Sequence, residues 1–205
     1  MKFGLLSLGN LFKKNNISAP PTVVSDDLVV LYPKPNERTK SIIQRVPLTS
    51  KVLFLYKLQR GISKEWKSWA WEMMENGLDT PGIIQLAGEN LNMNPFEFSS
   101  LVSNIINELG IDITNDDVYY QYALFIAHQV INSELTAEKG FEVLAQAATE
   151  TDYHDAFVKF YYLEEDADLL RNNLPGFYGD GNMRKDNIEE WMHLYFEKLI
   201  KRNKV

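Results

Sequence analysis

Four polar residues in an otherwise apolar stretch are the first candidates for chemistry in this sequence. Asp117, Gln121, His128 and Asn132 recur at helical spacing and form a narrow strip along residues 114–133. A histidine in a pocket can act as a general base near neutral pH. The strip therefore leaves open a small hydrolase or transferase with its site near His128. No Gly-x-Ser-x-Gly element accompanies it, and no residue is assigned as catalytic.

A second candidate lies in residues 161–168, where tyrosines and carboxylates stand together over about two helical turns. Rings with one polar edge beside several carboxylates suit a basic protein surface, and clustered carboxylates have no evident structural use because they repel one another. We add Tyr120, which closely follows two aspartates, and Trp71, which points away from the stripe that Trp66 and Trp69 form. The predicted protein-binding residues are Tyr161, Tyr162, Glu164, Glu165, Asp166, Asp168, Trp71 and Tyr120.

Metal and cofactor motifs are missing from the sequence. Residues 164–168, EEDAD, offer carboxylate oxygens but lack the glycine turn and the closing glutamate of an EF-hand loop. There is no cysteine, no Glu-x-x-His pair and no His-Glu-x-x-His element. Residues 176–182, GFYGDGN, lack the Lys-Ser/Thr of a phosphate-binding loop, so we interpret them as a mobile surface loop. The lesser alternative is a loop that makes a contact through Phe177 or Tyr178. We predict no metal and no cofactor.

Charge is segregated along the 205 residues. Residues 63–180 carry five Lys/Arg against 21 Asp/Glu, whereas residues 1–62 carry ten Lys/Arg against three Asp/Glu. An acidic block of this size argues against nucleic-acid binding, because the phosphate backbone requires a basic surface. The block favours a basic protein partner or simply a well-solvated surface.

The bulk properties indicate a soluble, cytoplasmic protein. The absence of cysteine fits a reducing compartment. The apolar run at the start is broken by Gly4, Ser7, Gly9 and Asn10, which is not typical of a signal peptide. No apolar stretch approaches the roughly 18 residues that a membrane span needs.

The elements that position these residues divide the chain at residue 48. Residues 1–48 predict an extended arm with one or two short strands, the first at residues 23–32 and the second around Ile42, Ile43 and Val46. Residues 49–205 predict an α-helical domain, with Gly, Pro, Ser and Thr at the expected helix ends. Thr114 and Asp117 can form a capping box for a helix that is apolar on most sides, which predicts a central helix. The fold class is therefore mainly α, a compact irregular bundle of about eight short helices.

Part of the chain resembles a loose group of small proteins. The segments WAWEMMENGLDTPGIIQLAGE and YALFIAHQVINSELTAEKGFEVL, with a helix opened by proline between them, are similar to small α-helical bacterial proteins, some of them immunity-like. The resemblance covers about half of the chain, and its motifs are packing and turn residues. It implies a helical bundle and assigns no catalytic residue.

Three functional hypotheses follow. The leading one is a non-enzymatic protein-binding module, in one form a toxin-neutralising immunity protein with an acidic binding surface. The second is the small hydrolase or transferase near His128. The third is a self-associating scaffold in which the basic arm engages the acidic body of the same chain or of another chain.

Overall fold

The computed structural model describes residues 20–113 and 117–203, and this part of the chain forms nine α-helices, one short 3₁₀ helix (Asp26–Leu28) and no β-strand. The helices are α1 (Glu37–Arg45), α2 (Leu48–Lys57), α3 (Lys64–Glu75), α4 (Pro81–Gly88), α5 (Pro95–Leu109), α6 (Asp117–Ile131), α7 (Ala137–Glu150), α8 (Val158–Arg171) and α9 (Ile188–Asn203). The predicted mainly α bundle is confirmed. The described residues contain one helix more than the expected eight. The additional helix is α1, which lies in the region predicted to be an arm.

Helix ends follow the local signals in the sequence at several places. Predicted cap side chains accept hydrogen bonds from the first turns of α4, α5 and α7, and these residues are Thr80, Asn94 and Thr136. Gly110 ends α5 with a φ of 66°, in the left-handed region that glycine adopts easily. Thr114, predicted to cap α6, lies outside the described residues.

The sequence predicts Thr49 or Ser50 as the cap of α2, and the structure differs. The helix begins at Leu48, and Thr49 does not cap it but is fully buried. The Thr49 hydroxyl accepts a hydrogen bond from the indole N–H of Trp69 at 2.9 Å. This hydrogen bond between two buried side chains ties α2 to α3.

Helix α6 occupies the centre of the bundle, as its all-round apolar character predicts. It packs against α2, α7 and α9, and α8 packs on α7. Gly140 of α7 allows these helices to approach closely, because a Cβ there would lie 2.7 Å from Val130 of α6 and 2.9 Å from Phe196 of α9. Helix α3 packs against α2, α4 packs against α3, and α5 packs against α4.

Residues 20–36, which we call the strap, replace the predicted first strand. The strap runs along α9 without a strand partner, and its apolar residues Val24, Leu28, Val29 and Tyr32 join the common core. Side chains of α9 satisfy its backbone instead of a ladder. Tyr195 donates to the carbonyl of Leu28 at 3.1 Å, and the Asn203 amide exchanges two hydrogen bonds with Val30 and Tyr32. Residues 1–19 of the predicted arm lie outside the described residues.

The predicted second strand is wrong, because Ile42 and Ile43 lie in α1. Asn36 caps this helix by accepting from the backbone N–H of Thr39, and the spacing of Thr39, Ile42 and Val46 places all three in the core. The strand prediction counted β-branched residues and overlooked the cap signal. No helix in the described part of the chain is long and apolar enough to cross a bilayer.

Candidate functional site

Two surface features of the described residues are candidate binding sites. The first is a cleft of about 670 Å³ that opens where the strap reaches the C-terminal end of α9. Its walls are residues 31–35 of the strap, α1, the start of α2, α6 and the last turn of α9. This volume lies in the range of small-molecule sites in proteins. We call this feature the strap cleft.

The strap cleft contains most of the polar strip that the sequence singled out. Gln121, His128 and Asn132 all line it, together with the carboxylate of Glu134. Asp117 does not line it and faces a separate, much smaller cavity that Gln121 also borders. The four residues of the strip are therefore not all brought together in one pocket, because Asp117 lies outside the strap cleft. Nothing in this arrangement assigns a nucleophile or an acid–base pair.

The second feature is a row of tyrosines on α8, in the turn before it and in the loop after it. Tyr153 meets Tyr161 edge-on with ring centroids 5.2 Å apart, and Tyr161 meets Tyr162 at 5.7 Å. Tyr162 then stacks on Tyr178 at 4.5 Å with an interplanar angle of 21°. Phe177, beside Tyr178, is 74% exposed. This row forms one surface with three carboxylates, and we call it the aromatic-acidic face; its carboxylates are Glu164, Glu165 and Asp168.

Asp166 organises this face from beneath. It is 2% exposed, and its carboxylate accepts three backbone N–H groups of the loop, from Phe177 at 2.6 Å, Tyr178 at 2.8 Å and Gly179 at 2.7 Å. The loop closes so tightly around it that a Cβ on Gly176 would lie 2.9 Å from the Asp166 carboxyl carbon. Hydrogen bonds from N–H groups to a carboxylate are among the stronger ones in proteins.

The prediction that Asp166 belongs to an exposed acidic surface is therefore wrong. Helical spacing could have located it, because Asp166 lies three residues after Leu163 and directly before Ala167, and both of these are buried. A buried carboxylate on the core side of a helix needs donors, and the glycine-rich loop supplies them. The loop predicted to be mobile is held at this point.

The three remaining carboxylates lie in a shared negative field. Burial, followed by the neighbouring negative charge of Asp168, raises the pKa of Glu164 above its ordinary range. Asp168 also pairs with Arg171 at 2.6 Å, and Arg171 reaches Glu138 of α7 at 2.8 Å. Glu165 is exposed, and the hydrogen bond that its carboxylate accepts from Tyr161 raises the pKa of that phenol to about 12.

The other two predicted binding residues, Tyr120 and Trp71, lie outside the aromatic-acidic face. Tyr120 is half-buried on α6, with its ring 4.8 Å from that of Tyr32 and 5.5 Å from that of His154. It therefore helps to seat the strap. Trp71 is 55% exposed on α3, whereas Trp66 and Trp69 are fully buried, as the spacing predicts.

Comparison with known proteins gives no match to a family model, a curated protein or a solved structure. The resemblance to small bacterial helical proteins therefore stays a prediction. Within residues 20–113 and 117–203, no three His, Asp or Glu side chains are grouped so that they could hold a metal ion.

Proposed function

We propose that this protein is a non-enzymatic binding protein that captures a basic protein partner on the aromatic-acidic face. The observation that supports this most directly is the exposed stack of Tyr162 on Tyr178, held in place by the buried Asp166. Folding alone does not require a protein to order a loop so that it presents aromatic rings to water. Tyrosine rings of this kind are enriched where protein surfaces meet.

The chemistry of the face suits lysine and arginine side chains. Their cationic groups bind over tyrosine rings as well as to carboxylates, and both groups lie side by side here. The exposed carboxylate of Glu165 and those of Glu164 and Asp168 would steer a basic surface toward the rings. Phe177, which is 74% exposed, would then be buried as an apolar anchor.

The specific form that we propose is a bacterial, cytoplasmic immunity protein whose partner is a toxin with a basic active site. The chain lacks cysteine, which suits a reducing compartment, and its central 63–180 block is strongly acidic. The neutralising step would be steric, because the acidic surface would cover the basic groups that the toxin needs for its substrate. A toxin gene immediately upstream would support this form, and an unrelated housekeeping operon would count against it.

The experiment is an NMR titration of the ¹⁵N-labelled protein with an arginine-rich peptide, repeated with two charge-reversal variants. We expect shifts at Tyr162, Glu165 and Tyr178, and a loss of affinity of about fivefold in Glu165→Lys. The matched control is Glu75→Lys, which makes the same charge change at an exposed site on α3 and should bind as the wild type does.

A further variant, Phe177→Ala, tests the apolar anchor without changing charge. It should weaken binding and leave the salt dependence of the affinity unchanged, because salt screens only the charged contacts. If Glu165→Lys and Glu75→Lys weaken binding equally, the peptide responds to net charge alone, and the aromatic-acidic face is not the binding site.

A further inference from the structure

The strap cleft has an apolar wall built from three helices. Leu124 and Phe125 of α6, Ile43 of α1 and Ile200 of α9 all line it, and the first three are only partly buried. Leu31, on the strap, also lines the cleft and is 64% exposed. An apolar ligand would remove this remaining surface from water, which is the main source of affinity in such sites.

The charges in the cleft have the opposite sign to those of the chain as a whole. Three cationic side chains line the cleft, those of Lys34, Lys40 and Arg202, against the single carboxylate of Glu134. The full chain has a formal charge of −7. A local excess of positive charge beside an apolar wall favours a ligand with one anionic end.

The lysines are available for such a ligand. Neither Lys34 nor Lys40 forms an ion pair with any residue in the described parts of the chain. Arg202 differs, because its guanidinium donates to the backbone carbonyl of Asp26 and so helps to hold the strap. Ser50 and Gln121 add a hydroxyl and an amide to the lining, and these can orient a polar ligand atom.

We propose that the strap cleft binds a small amphipathic carboxylate of the fatty-acid class. The hydrocarbon chain lies against the apolar wall that α1, α6 and α9 provide. The carboxylate lies between Lys34 and Lys40. The site is independent of the aromatic-acidic face, since no residue of α8 or of the loop after it lines the cleft.

The test is calorimetric titration of the full chain with three ligands that each have an unbranched chain of twelve carbon atoms: dodecanoate, dodecanol and dodecyltrimethylammonium, the charged ones below their critical micelle concentrations. We expect dodecanoate to bind most tightly and the cationic amphiphile most weakly, because the charge of the head group differs while the hydrocarbon tail is nearly the same. Octanoate should bind more weakly than dodecanoate, because its shorter tail buries less apolar surface.

Two double variants separate the lysines of the cleft from general charge. Lys34→Gln with Lys40→Gln should weaken dodecanoate binding about tenfold and abolish the preference over dodecanol. Lys64→Gln with Lys67→Gln removes the same charge from α3, outside the cleft, and should leave binding unchanged. Phe125→Ala should weaken dodecanoate and dodecanol alike, because it shortens the apolar wall. Circular dichroism melting of the wild type and the three variants establishes that each is folded.

Three outcomes would overturn the proposal. Equal affinity for the three amphiphiles would show non-specific association of tails. Unchanged dodecanoate affinity in the variant lacking Lys34 and Lys40 would place the carboxylate elsewhere. If dodecanoate does not bind but an acidic peptide with apolar side chains does, the cleft is a peptide site and not a fatty-acid site. A failure of this proposal would not affect the proposal that the aromatic-acidic face binds an arginine-rich peptide.

Discussion

The strap and the loop between α8 and α9 (residues 172–187) both pack their backbone against a helix, but they turn different backbone groups toward it. Each is an irregular segment whose backbone lies against a helix, and in each case helix side chains satisfy the exposed backbone groups. The strap presents mainly carbonyl oxygens to α9, and the donors that bind them are Tyr195, Lys198, Arg202 and Asn203. One backbone N–H of the strap, that of Tyr32, donates to the Asn203 side chain. The loop presents N–H groups to α8, and the carboxylate of Asp166 meets them.

This difference explains the contrasting character of the two candidate sites. Carbonyl groups accept hydrogen bonds from cationic and amide donors, and one of these donors, Arg202 of α9, also lines the strap cleft. N–H groups recruit a carboxylate, so the loop is held by a buried acid beneath an acidic surface. The charge of each site thus follows in part from which backbone groups the adjoining segment turns toward its helix.

The anchors also differ in how they are distributed. The loop depends on one residue that accepts three hydrogen bonds, whereas the strap is held by several side chains along α9. Loss of a single anchor should therefore damage the loop more than the strap. Two substitutions of comparable size test this expectation.

The largest effect is expected for Asp166→Ala. It removes the acceptor that the described residues provide for the N–H groups of Phe177, Tyr178 and Gly179, and we expect a loss of about 2–4 kcal/mol in the free energy of unfolding. Urea denaturation measures the change. The control Asp168→Ala removes an exposed carboxylate with one ion pair and should cost no more than about 1 kcal/mol. Similar losses in the two variants would contradict the anchoring role of Asp166.

A smaller effect is expected for Asn203→Ala. This change removes the hydrogen bonds to Val30 and Tyr32 at the edge of the strap cleft, at a cost of about 1–2 kcal/mol. Amide hydrogen exchange should accelerate at Tyr32 and stay unchanged at Phe177. The control is Asn76→Ala at the end of α3, where the side-chain amide donates within its own helix turn. Faster exchange at Phe177 as well would show that the two segments are coupled.

The smallest effect concerns the phenol of Tyr161. Its pKa is raised to about 12 because its hydroxyl is hydrogen-bonded to Glu165 and lies in the negative field of that carboxylate. A folded-state pKa above the ordinary 10.0 means that this contribution to stability is complete below about pH 10 and is lost as the pH rises toward 12. We expect Glu165→Gln to bring the pKa down toward 10, and Glu164→Gln to leave it unchanged. NMR titration of the Tyr161 ring distinguishes these outcomes.

Much of the fold could be predicted because its signals are local. Caps such as Thr80 and Thr136, and the left-handed Gly110, act within one turn of the chain. The central place of α6 follows from apolar residues on most of its sides. The candidate sites were harder to predict from the sequence. Tyr162 does lie on an exposed aromatic row, but its partner Tyr178 belongs to the loop after the end of α8. Helical periodicity therefore does not link the two residues.

The sequence by itself determined which segments become helices, where most of them begin and end, and which helix lies at the centre, because hydrogen bonding and capping within a helix involve only near neighbours. Tertiary structure decided the rest. It turned a β-branched run into a strap, because α9 offered side-chain donors to its carbonyls in place of a strand. It buried Asp166, because the loop returned three N–H groups to that carboxylate. Whether a polar group is exposed or paired depends on segments far along the chain, and only the folded structure brings those together.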